Sequence, residues 1–216
     1  MMSTVDEVAR VCGEALAVAA RLGEEVAVLL RGGAGRAEVT DAVTRIATQQ
    51  LTARELVFGA GFVGEPGRFS GPLMAWWQAL GAERTVTLLD PGATGGGYVR
   101  SYEDIEWYRV PRETLEPHMT GPYVDLLCTD EATLTFTAPV LISGAFAGVV
   151  GADITVPVFE RALSAVLGVG QIVVTDERRV AASADPTVVV GRRLPTLDGF
   201  ELTAVPGTQF SVGSPR

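Results

Sequence analysis

Three scarcities narrow what this chain can be. It carries two cysteines, Cys12 and Cys128, and a single histidine, His118, in 216 residues. The cysteines have no CxxC spacing and no histidine cluster around them, so neither a disulfide framework nor a metal site is expected, and no cofactor. Thiols separated in this way fit a reduced, cytoplasmic setting. Positive charge is scarce as well: 17 basic against 26 acidic residues leave a formal net charge of -9 and a pI near 4.7. Nucleic acid and anionic membranes both need an electropositive face, so neither is an expected partner, whereas small cations are. Long apolar runs are the third scarcity. "GEALAVAARLGEEVAVLLRGG" is broken by Arg21, Glu24 and Glu25, is too short to span a bilayer, and follows no basic segment of a secretion signal.

What is present is a chain able to bury a full core, with 47% hydrophobic and 20% charged residues. Val8, Cys12, Ala15, Ala19, Leu22, Val26 and Leu29 step by four and three, the spacing of a helix that buries one stripe. That helix either lies on its own domain or pairs with a second copy, and Gly13 and Gly23 would let another backbone come close. The stripe supports the expectation of a homodimer. Gly32, Gly33 and Gly35 end the helix, and "RAEVTDAVTRIATQQLTA" reads as a second one.

Beyond Arg54 the period changes to that of strands: "ELVFGAGFV", "RTVTLLD", "TLTFTAPVLI", "GAFAGVVGADITV", "GQIVVTD" and "VAASAD", with "SGAF" and "DERR" as hairpin tips. Trp76 and Trp77 in "LMAWWQAL" are expected to anchor the sheet to a loop or short helix, one of them closing a pocket. Two helices before a meander of strands predict an α+β fold with the helices packed on an antiparallel sheet. "VPVFERALSAVLG" reads as a linker helix. It divides a main domain, residues 1–157, from a small β-rich extension, residues 158–216.

One stretch, Ser101 to Cys128, concentrates chemistry: Tyr102, Trp107, Tyr108, His118, Tyr123 and several carboxylates between a glycine run and an apolar segment. "IEWYRVPRE", then "TGPYVD", then "TLTFTAPVLISGAFAGVVGADITV" resembles the ligand-binding module of Cache sensor domains, the PAS-like fold of bacterial chemoreceptors and sensor kinases. The resemblance implies a single module whose pocket is lined by Trp107, Tyr108, Tyr123 and Asp125, with Asp153 gripping a ligand ammonium. It also implies an arginine two residues before the tryptophan to hold a ligand carboxylate, and this chain has Ile105 there. Arg100, Arg109 or His118 are the alternatives for that task, and Tyr102 joins the candidate pocket.

Physical chemistry supports the same reading. An ammonium leaving water needs carboxylates in reach and aromatic faces around it, each well-placed ring contributing about 0.5–2 kcal/mol. Asp153 lies in a run whose neighbours all want burial, so it needs a partner. "TGGG" at Thr94 to Gly97 lacks the lysine of a phosphate loop and reads as a lid. Cys128 with His118 lacks a third, orienting group, so catalysis is not expected. The reading is a soluble sensor or binding domain for an amine, betaine or amino acid, reporting through a dimer or signalling partner. The alternative is an enzyme or accessory subunit acting on a similar metabolite.

Overall fold

The computed structural model describes residues 2–69, 71–81, 85–88, 102–124 and 132–216. Four helices and ten strands succeed one another along them. They are α1 (Thr4–Arg31), α2 (Arg36–Ala53), β1 (Gly59–Gly64), β2 (Leu73–Leu80), β3 (Thr85–Leu88), α3 (Glu106–Thr114), β4 (His118–Val124), β5 (Ala132–Ile142), β6 (Ala145–Thr155), α4 (Val156–Leu163), β7 (Ile172–Thr175), β8 (Val180–Ser183), β9 (Phe200–Ala204) and β10 (Phe210–Pro215). The strands form a six-stranded sheet of order β3-β2-β1-β6-β5-β4 and a four-stranded sheet of order β8-β7-β10-β9. The α+β, PAS-like expectation holds. Among the described residues no helix is long and apolar enough to cross a membrane.

The chain forms two compact units that interleave in sequence. The larger holds Ala15–Thr120 and Thr135–Asp153, the smaller Met1–Glu14, Gly121–Leu134 and Ile154–Arg216. A division at residue 157 describes a single cut, whereas these units exchange the chain several times. The residues after α4 have their own sheet and their own apolar cluster, Ile172, Val174 and Val180, with Val188, Val190, Leu194, Leu197 and Phe200 packed on it.

In α1 the stripe read from the sequence is consumed inside the chain. Val8, Cys12, Ala15, Leu22 and Val26 have no exposed surface and Ala19 has 1%. Leu29 at the end of the stripe keeps part of its surface exposed, while from Val8 to Val26 the intramolecular one of the two readings of this helix is realised. Gly23 shows the same: a Cβ there would lie 3.3 Å from Val150 of β6, while one at Gly13 would meet open space. The helix stops where Gly33 turns to a φ of 83°, a conformation that favours glycine. One residue before α2, the Gly35 N–H donates to the Glu38 carboxylate at 2.9 Å.

"LMAWWQAL" is the main departure from expectation in the larger unit. It is neither loop nor short helix but strand β2, paired antiparallel with β1 and β3. Both of its faces are largely covered, so it shows no polar and apolar alternation to read. Strands β4, β9 and β10 and helix α3 also lie outside the elements read from the sequence. In α3 an internal Pro111 masks the helical signal. The hairpin tips are as read: Ser143 and Gly144 take φ of 52° and 82° between β5 and β6, and Arg178 takes 64° between β7 and β8.

Candidate functional site

The site is built on one face of β6, β1 and β2. Across these strands Asp153 stands opposite Gly59 and Gly59 opposite Gln78, while Gly151 stands opposite Gly61 and Gly61 opposite Trp76. Residues two apart on a strand share a face, so Asp153, Gly151, Gly59, Gly61, Gln78 and Trp76 form one surface. Three of the six are glycines, which lower its floor. A Cβ at Gly61 would run into the Ala75 carbonyl and the Trp76 backbone, and one at Gly59 would meet the Asp153 carboxylate and the Trp76 indole nitrogen.

Over that floor the two large groups meet. The Trp76 Nε1–H donates to Asp153 Oδ2 at 2.8 Å, and the Thr135 hydroxyl donates to Oδ1 at 2.7 Å. Asp153 is 3% exposed. A buried carboxylate costs several kcal/mol unless its lone pairs are met, and here an indole and a hydroxyl meet one on each oxygen. Both donors are neutral: they orient the carboxylate and add no charge of their own. Position 153 therefore has the partners that its apolar strand demanded, and they come from β2 and β5. Neither Trp76 nor Thr135 was singled out as a partner by the sequence. Which of two adjacent tryptophans faces an aspartate 77 residues away depends on sheet register alone.

Helix α3 brings the aromatic residues. The Trp107 ring lies 6.1 Å from that of Trp76, tilted by 37°, and 6.1 Å from Tyr108 in an edge contact. Tyr108 is wholly buried, edge-on to Tyr102 at 5.0 Å and to Phe146 at 5.6 Å. Its hydroxyl has no hydrogen-bond partner, and burial raises the phenol well above its ordinary range. Tyr102 has its hydroxyl committed to the Gly64 carbonyl at 3.0 Å, and burial raises its pKa too. Trp107 thus stands by the Asp153 and Trp76 pair, while Tyr102 and Tyr108 form an aromatic cluster beside it.

The remaining candidates divide. His118 Nε2 lies 2.9 Å from the Glu106 carboxylate, and the Arg109 guanidinium, exposed on α3, pairs with Glu113 at 2.9 Å. Both are engaged at the surface side of α3. Tyr123 is half-buried on β4 and belongs to the smaller unit. Arg100, Asp125, Cys128 and the "TGGG" loop lie outside the described residues. Ile105, partly exposed, precedes α3 and accepts through its carbonyl the N–H groups of Tyr108 and Arg109 at 3.0 and 2.8 Å. An alkyl side chain therefore occupies the position two before Trp107. Among the described residues no group of three or more metal-ligating side chains is gathered.

Comparison with known proteins agrees with this architecture. Residues 43–160 match the family model of the methyl-accepting chemotaxis protein-like, first PDC sensor domain. No curated protein matches the sequence. Among solved structures, the extracellular domain of soHK1S-Z6, described as a histidine kinase, superposes with a TM-score of 0.72 at 15% identity, covering 98% of this chain and 89% of that one. The ligand-binding domain of Pseudomonas fluorescens chemoreceptor CtaA, in complex with L-valine, gives a TM-score of 0.66 at 17% identity, with 98% and 91% covered. That of the Pseudomonas aeruginosa PAO1 amino acid chemoreceptor PctC, in complex with GABA, gives 0.61 at 19%, with 98% and 94% covered. At these identities the likeness is one of fold, and it extends over the residues after α4 as well as the main sheet.

Proposed function

Because this chain belongs to the methyl-accepting chemotaxis protein-like PDC sensor domains, we propose that it is the ligand-reading part of a signalling system. Its ligand is a small ammonium-bearing metabolite, an amine before an amino acid. The observation that carries the reading is the Asp153 carboxylate, 3% exposed and oriented by Trp76 and Thr135 with the Trp107 ring beside them. A carboxylate aimed by neutral donors and bordered by indoles offers an ammonium both a charged hydrogen bond and cation–π faces. The ligands in the CtaA and PctC complexes, L-valine and GABA, share an ammonium with the class proposed here.

The preference for amines rests on what stands at the other end. Ile105 occupies the position where the resemblance places arginine, and Arg109 and His118 are engaged by Glu113 and Glu106. A ligand carboxylate desolvated against an alkyl group loses several kcal/mol of hydration without recompense. The test is a thermal-shift screen of amines and their parent amino acids. A ligand at a hundred times its dissociation constant should stabilise the fold by about 2.7 kcal/mol, and amines should give the larger shifts. Ile105→Arg should move the preference toward the amino acid. A wild-type protein that prefers an α-amino acid over its decarboxylated analogue ends the amine reading.

A further inference from the structure

Gln78 is the least explained side chain on the glycine-floored face. It is 3% exposed, and its Nε2 is buried with no hydrogen-bond partner. Buried amide donors are almost always paired, and one held without a partner calls for a reason. Packing does not supply one. A leucine or methionine would fill the same volume on β2 without an amide to leave unpaired.

Its position does supply a reason. Gln78 shares a face with Trp76 on β2 and stands across Gly59 from Asp153. Two strand spacings separate the Cα atoms of Gln78 and Asp153, about 10 Å. The residue between them has no side chain, and the space a Cβ would take there is used by the Asp153 carboxylate and the Trp76 nitrogen. On the far side of Gln78, Thr87 of β3 is exposed, so this row of residues reaches solvent at the sheet edge. A small molecule with its ammonium at Asp153 would extend its other end along the row toward the unpaired amide.

We infer that Gln78 reads the end of the ligand opposite its ammonium, by donating Nε2–H to an oxygen acceptor. An amide is neutral: it rewards an oxygen but does not compensate a charge, so the favoured acceptors are uncharged. The ligand class narrows to amino alcohols and amino amides, ahead of plain amines and ahead of amino acids. This inference rests on the placement of the ammonium at Asp153.

The experiment is calorimetry on wild type, Gln78→Leu, Gln78→Met and Asp153→Asn. The probes are two matched series on the L-valine and GABA skeletons, each as plain amine, amino alcohol, amino amide and amino acid. In the better-binding series the wild type should bind the alcohol or amide about tenfold more tightly than the plain amine, the worth of one good hydrogen bond. Gln78→Leu should lose that increment, bringing alcohol, amide and plain amine to one affinity, while Asp153→Asn should weaken all members. An unchanged ranking in Gln78→Leu, with Asp153→Asn still impaired, overturns the role of Gln78 and leaves Asp153 standing. Wild-type affinities in Asp153→Asn, or a wild type that binds none of the probes, overturn both. Thermal melts accompany each variant. Failure of both Gln78 variants to fold overturns the inference, because it makes the amide a packing group.

Discussion

The two sheets of this protein spend their burial differently. On the four-stranded sheet the cluster of Ile172, Val174 and Val180 is apolar throughout, and the one buried hydroxyl beside it, Thr175, accepts the Arg179 N–H at 3.2 Å. On the six-stranded sheet Gln78, Thr120, Asp153 and Thr155 are all buried polar residues, and Trp77 Nε1, Gln78 Nε2, Thr120 Oγ1 and Thr155 Oγ1 have no hydrogen-bond partner. Among the described residues none of the unpaired buried atoms lies on the four-stranded sheet. A sheet selected for stability alone would not carry this cost, since each unpaired buried group opposes folding. Between the two sheets, the unmet hydrogen-bonding capacity lies on the six-stranded one, with Gln78 and Trp77 on its opposite faces, whereas among the described residues the four-stranded sheet carries none.

The strongest way to break the comparison is to attack what both units share. Helix α1 contributes its first turns to the smaller unit and the rest to the larger. Leu22 has no exposed surface, so Leu22→Glu buries an unpaired charge. The expected loss is on the order of 5 kcal/mol, most of the stability of a typical domain. The variant should be unfolded by circular dichroism. A folded Leu22→Glu protein would return α1 to the role of an intermolecular helix.

A second pair of variants separates the sheets. Asp153→Ala removes the acceptor of both Trp76 Nε1 and Thr135 Oγ1 and should cost about 2–6 kcal/mol in denaturant unfolding, at about 1–3 for each orphaned donor. It should also abolish amine binding. Val174→Ala on the four-stranded sheet should cost about 2 kcal/mol through lost burial and a small cavity, with amine affinity unchanged in calorimetry. If Val174→Ala weakens binding as much as Asp153→Ala does, the division of labour between the sheets fails.

The smallest expected effect concerns Tyr108. Its phenol is held above the ordinary value of 10 chiefly by burial. A pKa raised in the folded state means that the stability contributed by the neutral phenol is complete below the unfolded value and is lost as pH rises past it. Tyr102, raised for the same first cause, adds to the loss. The protein should therefore lose stability above about pH 10. Tyr108→Phe removes a hydroxyl that has no partner, so at neutral pH it should stay within about 1 kcal/mol of wild type. Its alkaline unfolding should begin at higher pH. An unchanged alkaline midpoint would show that Tyr108 does not govern this limb.

Much of the fold was legible in the chain because local rules apply to it. The stripe of α1, the glycine stop at Gly33, the period of β5 and β6 and the turn at Ser143 and Gly144 each follow from side-chain spacing or backbone sterics within a few residues. Asp153 stood out for a similar reason: a carboxylate amid Val149, Val150, Ala152 and Ile154 announces that it needs partners. Who those partners are is a matter of register. Trp76 rather than Trp77 meets Asp153 because β1 places Gly59 and Gly61 between them in one alignment, and a slip by one residue would have presented the other face. Strand β2 was hidden because it is covered on both faces, and α3 because it contains Pro111. The sequence by itself determined the elements, their order and a buried acid in want of neighbours. Only the tertiary structure decided that an indole from β2, a hydroxyl from β5 and an unpaired amide on the same face would surround it, because those groups are joined by strand pairing and not by proximity along the chain.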